Sequence, residues 1–143
     1  MISINSLSIY LDQSIDIKFI DVGQGDSILI STKKGDYLID TGGNLFGSFD
    51  IGKNILLPYL EKEGIFRLKG VFITHYDADH CKSLPLLIDN IKIEKIYIGY
   101  ERWENKLYEE INNKAKEKGV PIILLKRGDK LKLDKNTHVL VKG

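Results

Sequence analysis

Apolar and polar residues alternate over Ile15-Asp16-Ile17-Lys18-Phe19-Ile20. That period of two predicts a strand with one face toward a core. The glycine-bearing turn Asp21-Val22-Gly23-Gln24-Gly25-Asp26 leads into a second strand, Ser27-Ile28-Leu29-Ile30. A hairpin turn at Lys33-Lys34-Gly35-Asp36 then leads into a third, Tyr37-Leu38-Ile39-Asp40. Thr41-Gly42-Gly43-Asn44 breaks that strand, and 44–50 reads as a loop. The period then lengthens. Ile55, Leu56, Tyr59 and Leu60 share a helical face, Gly64 ends the helix, and Pro58 either kinks it or lies near its start. Val71-Phe72-Ile73 predicts a buried strand, Leu84 to Asn90 a short helix, and Ile93 to Ile98 another strand. Leu107, Ile111 and Ala115 recur at helical spacing ahead of Gly119, and Pro121 to Leu125 predicts a further buried strand. Lys130 to Leu133 and Thr137 to Val141 pair across Asp134-Lys135-Asn136. A β-hairpin layer followed by β-α-β units predicts an α/β domain with a mixed sheet.

Composition narrows the class. At 143 residues the chain is one domain's worth, and 43% hydrophobic with 29% charged is ordinary for a globular protein. Lys and Arg number 21 against 20 Asp and Glu, so no global field for nucleic acid follows, only room for a local patch. No apolar run approaches the roughly 20 residues of a membrane span. Met1-Ile2-Ser3-Ile4 shows no signal-peptide pattern. The single Cys81 rules out an internal disulfide and reads as a small packing residue.

Candidate chemistry gathers directly after Val71-Phe72-Ile73. Thr74-His75-Tyr76-Asp77-Ala78-Asp79-His80 holds four metal-ligand side chains, His75, Asp77, Asp79 and His80. Imidazole suits zinc, manganese or iron, and carboxylates favour divalent cations in general. In an extended loop His75, Asp77 and Asp79 project to one side and His80 elsewhere. Such a split serves one metal with some ligands and a neighbouring metal with another, and two metals make a hydrolytic clamp. Asp21 and Asp26 read as turn residues, Gly23 and Gly25 as positions of positive φ or close backbone approach. His138 lies in a strand pattern and reads as a strand residue.

Three motifs in sequence carry a resemblance. Asp21 to Asp26 followed by Ser27 to Ile30, then Leu38-Ile39-Asp40-Thr41-Gly42-Gly43, then Thr74 to His80 resemble the metallo-β-lactamase-fold hydrolases. The chain is most similar to the hydrolase domain of ComEC-type DNA-uptake (competence) proteins and their stand-alone relatives. Leu56-Leu57-Pro58-Tyr59-Leu60 and Gly64-Ile65 fit as well. The resemblance implies the N-terminal half of a four-layer αββα fold. It assigns His75 and Asp77 to a first metal site and Asp79 and His80 to a second. Asp79 also holds or deprotonates the attacking water, as the catalytic residue. Asp40 orients the ligand loop by hydrogen bonds; read from its neighbours alone, it is equally a turn residue beside Gly42-Gly43. The implied cofactor is zinc or manganese, up to two ions in a complete domain. The implied substrate is DNA or another phosphodiester. A stand-alone relative is cytoplasmic, and a ComEC-type protein places the domain beside a membrane.

The chain also departs from that pattern. Cys81-Lys82-Ser83 stands where the group has an apolar residue and two glycines. The later histidines and bridging aspartate of the superfamily have no counterpart among three histidines. Residues 1–143 therefore read as a partial domain lacking its second half, inactive alone. A second copy or the missing half is expected to cover the sheet face around Ile28, Ile39, Phe72 and Ile123. The other functional class is a non-catalytic remnant or binding module that retains half a metal site and acts by contact through lysine-rich stretches such as 114–118.

Overall fold

The computed structural model describes residues 15–142; the signal-peptide reading of Met1 to Ile4 lies outside them. Strands β1 (Asp16–Phe19), β2 (Ile28–Thr32) and β3 (Gly35–Ile39) form an antiparallel meander. Strands β5 (Gly70–Ile73), β7 (Ile96–Ile98) and β8 (Ile122–Leu124) then add in parallel, giving one mixed sheet in the order β1-β2-β3-β5-β7-β8. Parallel neighbours need crossovers, and helices supply them. Helix α1 opens as a π-helical stretch, Gly52–Leu56, and continues as an α-helix over Leu57–Lys62. Two short helices, α2 (Ala78–Cys81) and α3 (Leu84–Asn90), follow β5, and α4 (Lys106–Lys118) follows β7. Pro58 sits in the first turn of the α-helical part of α1, after the π stretch. With no N–H to give and a ring that crowds the preceding turn, proline is tolerated there.

Alternation along the strands sorts the core into two layers. Leu29, Leu38, Val71, Ile73, Ile96 and Ile98 point to the helical side, where Leu56, Leu60, Leu84, Leu87, Tyr108 and Ile111 meet them. Ile30, Tyr37, Phe72 and Tyr97 point to the other side. There the hairpin of β9 (Lys130–Lys132) and β10 (His138–Leu140) packs Leu131, Leu133 and Val139 against them. The Tyr37 hydroxyl donates to the Leu133 carbonyl, and the Phe72 and Tyr97 rings stack at 4.6 Å. The sheet face expected to be bare is thus covered in part: Phe72 is buried and Ile28 and Ile39 are half-buried. Ile17, Phe19 and Ile123 remain exposed.

Two expectations are corrected. The single strand over 93–98 is two pieces, because β6 (Lys92–Ile93) pairs with β4 (Arg67–Leu68) while β7 pairs with β5. Glu94 between them is drawn to Arg67 and Lys69 by ion pairs. The strand at 121–125 is not buried. Its core β8 is the last strand of the described sheet, and Ile123 and Leu124 are exposed. His138 lies in β10 opposite Lys132, as its strand pattern predicts. Among the described residues no helix is long and apolar enough to cross a membrane.

Candidate metal centre

Asp40 is the point on which the site is built. It follows β3 with a φ of 55°, the left-handed region that non-glycine residues seldom enter. Its N–H donates to the Phe72 carbonyl at 2.8 Å, and the Ser27 hydroxyl donates to its carbonyl. This backbone turns the carboxylate under the end of β5, where it is buried. One oxygen, Oδ1, accepts from the Thr74 N–H at 2.8 Å. The other, Oδ2, accepts from the Thr74 hydroxyl at 2.5 Å and from His80 Nδ1 at 2.8 Å. Both readings of Asp40 meet in these facts: it shapes a turn, and its side chain joins the third strand to the ligand segment.

These bonds favour one tautomer of each imidazole when it is neutral. A carboxylate only accepts, so the proton in the Asp40–His80 contact is on Nδ1, and in the neutral ring Nε2 carries the lone pair. Thr74 has one hydroxyl hydrogen and gives it to Asp40, so its oxygen accepts from His75 Nδ1 at 3.0 Å. In that tautomer Nε2 is the His75 nitrogen turned away from Thr74. A carboxylate behind a histidine is the usual way to hold a ligating imidazole and raise its basicity. Burial pushes the His80 pKa down, but the hydrogen bond and charge of Asp40, with Asp79 and Asp26 adding their charge, outweigh it and the net shift is upward.

The segment is not extended throughout. Asp77 has extended backbone, but α2 begins at Ala78, so Asp79 and His80 are rotated by helical steps. His80 therefore returns toward His75 where alternation alone sends it away. The two rings lie 3.7 Å apart between centroids. Ligand atoms of His75, Asp79 and His80 all fall within 4.8 Å of one another. Asp77 stays at the margin, its Oδ2 3.4 Å from His75 Nε2 and its side chain well exposed. Two imidazoles and a carboxylate form a donor set suited to a divalent cation.

The glycine turns serve this helix. A Cβ on Gly25, whose φ is 108°, falls 2.1 Å from the Asp79 carbonyl oxygen, and one on Gly43 falls 2.2 Å from that of Ala78. The Asp26 N–H donates to the Asp79 carbonyl, and the Thr41 N–H to that of His80 at 2.6 Å. Asp21 takes the turn role expected of it, accepting from the Gly23 N–H. Asp26 Oδ2 stands 3.8 Å from His80 Nδ1, beyond hydrogen-bond reach. Cys81 is buried, its thiol pushed up to about 12 mainly by burial, and it lies outside the convergent group, its Sγ directed at the Asp77 carbonyl.

Thr74 and Tyr76 were not singled out from sequence. Tyr76 is buried between two candidate ligands. Its hydroxyl donates to the Tyr100 carbonyl at 2.7 Å and its ring meets Tyr100 and Tyr108 edge-on. A large aromatic inside a polar run was the available signal, since such a residue needs somewhere to bury its ring.

A family profile described as the metallo-beta-lactamase superfamily matches residues 20–140. The chain belongs to the metallo-beta-lactamase superfamily. It is 34% identical over 138 residues to ComE operon protein 3 of Bacillus subtilis (strain 168), a match that takes in 87% of this chain. The chain spans only 18% of that relative's length. Its fold is similar to that of rubredoxin oxygen:oxidoreductase from the anaerobe Desulfovibrio gigas, with a TM-score of 0.54 at 22% identity over 86% of this chain and 30% of that one. The likeness to the second protein is one of fold. The α/β class with a mixed sheet and the metallo-β-lactamase resemblance both hold.

Asp40→Ala is expected to lower divalent-metal affinity by about 10–100-fold, the usual cost of losing the partner behind a ligating histidine. Isothermal titration with zinc checks it. Asp40→Asn should fall between, since its amide oxygen still accepts one of the bonds.

Proposed function

We propose that the chain carries half of a metal-dependent phosphodiesterase site, acting on DNA in the manner of ComEC-type uptake proteins. The observation that carries this reading is the convergence of His75, Asp79 and His80 just beyond the end of β5, with His80 held by the buried Asp40. His75, Asp79 and His80 hold the ion, with zinc or manganese the fitting choices, and Asp77 is within reach of the same rim. A bound divalent ion lowers the pKa of water and offsets charge on phosphoryl oxygens. Asp40 keeps His80 in one tautomer and orientation. Asp79, partly exposed and facing the cleft, is placed to orient the attacking water and take its proton. The 34% identity to ComE operon protein 3 supports the competence-type assignment.

We infer that a second half-domain completes the ligand set, because three convergent ligand atoms among the described residues fall short of a two-ion clamp. Phe19 and Ile123, exposed on the sheet face away from the helices, support the same inference. Cys81-Lys82-Ser83 in place of the expected glycines favours a second reading, a remnant that binds without catalysing.

The test has two steps. Calorimetry on the metal-free chain should show one ion bound with micromolar or weaker affinity. The chain joined to the second half-domain of a ComEC-type relative should then cleave labelled DNA with manganese or zinc, and a chelator should stop it. Tight binding of two ions by the chain alone would overturn the half-site. Metal binding with no cleavage by the joined protein would favour the remnant.

A further inference from the structure

Tyr76 is the one large apolar side chain among residues 74–80. It sits between His75 and Asp77, where the chain leaves β5 and has not yet entered α2. Along this short stretch exposure alternates: His75 is partly exposed, Tyr76 is buried and Asp77 is exposed. His75 Nε2 and Asp77 Oδ2 meet at 3.4 Å, so the two outward side chains share one side. On that side Asp77 and Asp79 line a cleft of about 740 Å³. Turning Tyr76 into the core and turning His75 and Asp77 out of it is a single choice of backbone.

Tyr76 is held by more than apolar burial. Its hydroxyl donates at 2.7 Å to the carbonyl of Tyr100, two residues past the end of β7. Its ring meets Tyr100 edge-on at 5.2 Å and Tyr108 of α4 at 5.0 Å. Tyr108 is 1% exposed, so it gives the ring a fixed wall. Edge-to-face pairs fix orientation as well as adding to burial. Asp40 does not reach this part of the segment. Through Thr74 it sets how the His75 ring turns, but Thr74 lies on the β5 side of His75. Asp79 and His80 have their own ties, since their carbonyls accept from the Asp26 and Thr41 N–H groups.

We propose that Tyr76 is a positioning residue of the metal centre: its grip on Tyr100 and Tyr108 holds residues 75–77 so that His75 and Asp77 face the ion. The site then has two arms. Asp40 sets His80, and the loop after β7, acting through Tyr76, sets His75 and Asp77. The assignment rests on the reading of His75, Asp79 and His80 as metal ligands, and it makes the loop after β7 a determinant of metal affinity.

Tyr76→Phe tests it, because the ring stays and only the hydroxyl bond goes. Zinc affinity measured by calorimetry should fall roughly three- to tenfold, the usual effect of one lost hydrogen bond. Proton NMR of the three histidine rings gives the deciding readout. In the metal-free Tyr76→Phe chain the His75 ring signals should shift while those of His80 stay in place. His138, exposed on β10 opposite Lys132, is the internal reference. Tyr37→Phe is the comparison for a purely structural loss. It removes a buried tyrosine's bond to the Leu133 carbonyl on the other face of the sheet, and should lower the unfolding temperature without moving His75 or zinc affinity. Unchanged His75 signals and zinc affinity in Tyr76→Phe would overturn the proposal, whatever its stability. Equal displacement of His75 and His80 would overturn it too, by showing general loosening of the segment. If the unaltered chain bound no zinc, the metal-site reading would fall, and the His75 signals of the metal-free chain would still decide whether Tyr76 positions that side chain.

Discussion

His80→Ala is expected to abolish measurable metal binding and, in the joined protein, to reduce phosphodiester cleavage by on the order of a thousandfold or more. His80 is the least exposed of the three convergent ligands and the one that Asp40 holds directly. Removing it leaves His75 and Asp79, too few to hold a divalent ion in a defined geometry. The ion supplies several kcal/mol of transition-state stabilisation, and each 1.4 kcal/mol is about tenfold in rate. The fold should survive. Asp40 keeps both bonds from Thr74, so the buried carboxylate is not left without partners. Calorimetry for the metal, circular dichroism for the fold and a cleavage assay separate these effects. Retained zinc binding by the variant would show that the ion is held elsewhere.

Much of the fold was legible because it follows from local periodicity. Leu29, Leu38 and Val71 fall on the core face that period two assigns, whereas Ile17 and Phe19 of β1 stay exposed, and Gly64 and Gly119 stop their helices in the left-handed conformation with φ of 74° and 69°. What local pattern does not carry is neighbourhood. Ile123 and Leu124 look as apolar as Val71 and Phe72, yet β8 is an edge and β5 is central. Hydropathy reports a residue's preference and not how many strands flank it.

The site divides along the same line. Ligand density in 74–80 is visible in sequence because the types are rare together. Their convergence is not, because it depends on where extended backbone gives way to helix. One turn begun at Ala78 brings His80 back to His75 and leaves Asp77 at the rim. The Asp40–His80 bond spans 40 residues, and a turn reading of Asp40 does not say where its carboxylate points.

Gly25→Ala is expected to cost about 2–6 kcal/mol and to disable the metal centre with it. Two penalties act at one atom. The backbone at Gly25 has φ of 108°, which L-residues rarely adopt, and holding one there costs roughly 1–3 kcal/mol. The added Cβ also meets the Asp79 carbonyl oxygen at 2.1 Å and its carbonyl carbon at 2.9 Å. Those are backbone atoms, so no side chain can swing aside, and overpacking of this kind typically costs a further 1–3 kcal/mol. Relief requires α2 to move off the 21–26 turn, and that displacement stretches the Asp26 N–H bond to the same carbonyl. Asp79 and His80 ride on α2, so the ligands leave their places with it. Denaturant unfolding should show the loss, a large fraction of the 5–15 kcal/mol that usually holds a domain together. Gly23→Ala is the control. It shares a positive φ of 74° but its Cβ would meet nothing within 4 Å, so only the backbone penalty applies and metal affinity should hold. Equal losses in the two variants would mean that the close approach to Asp79 is not what glycine provides there.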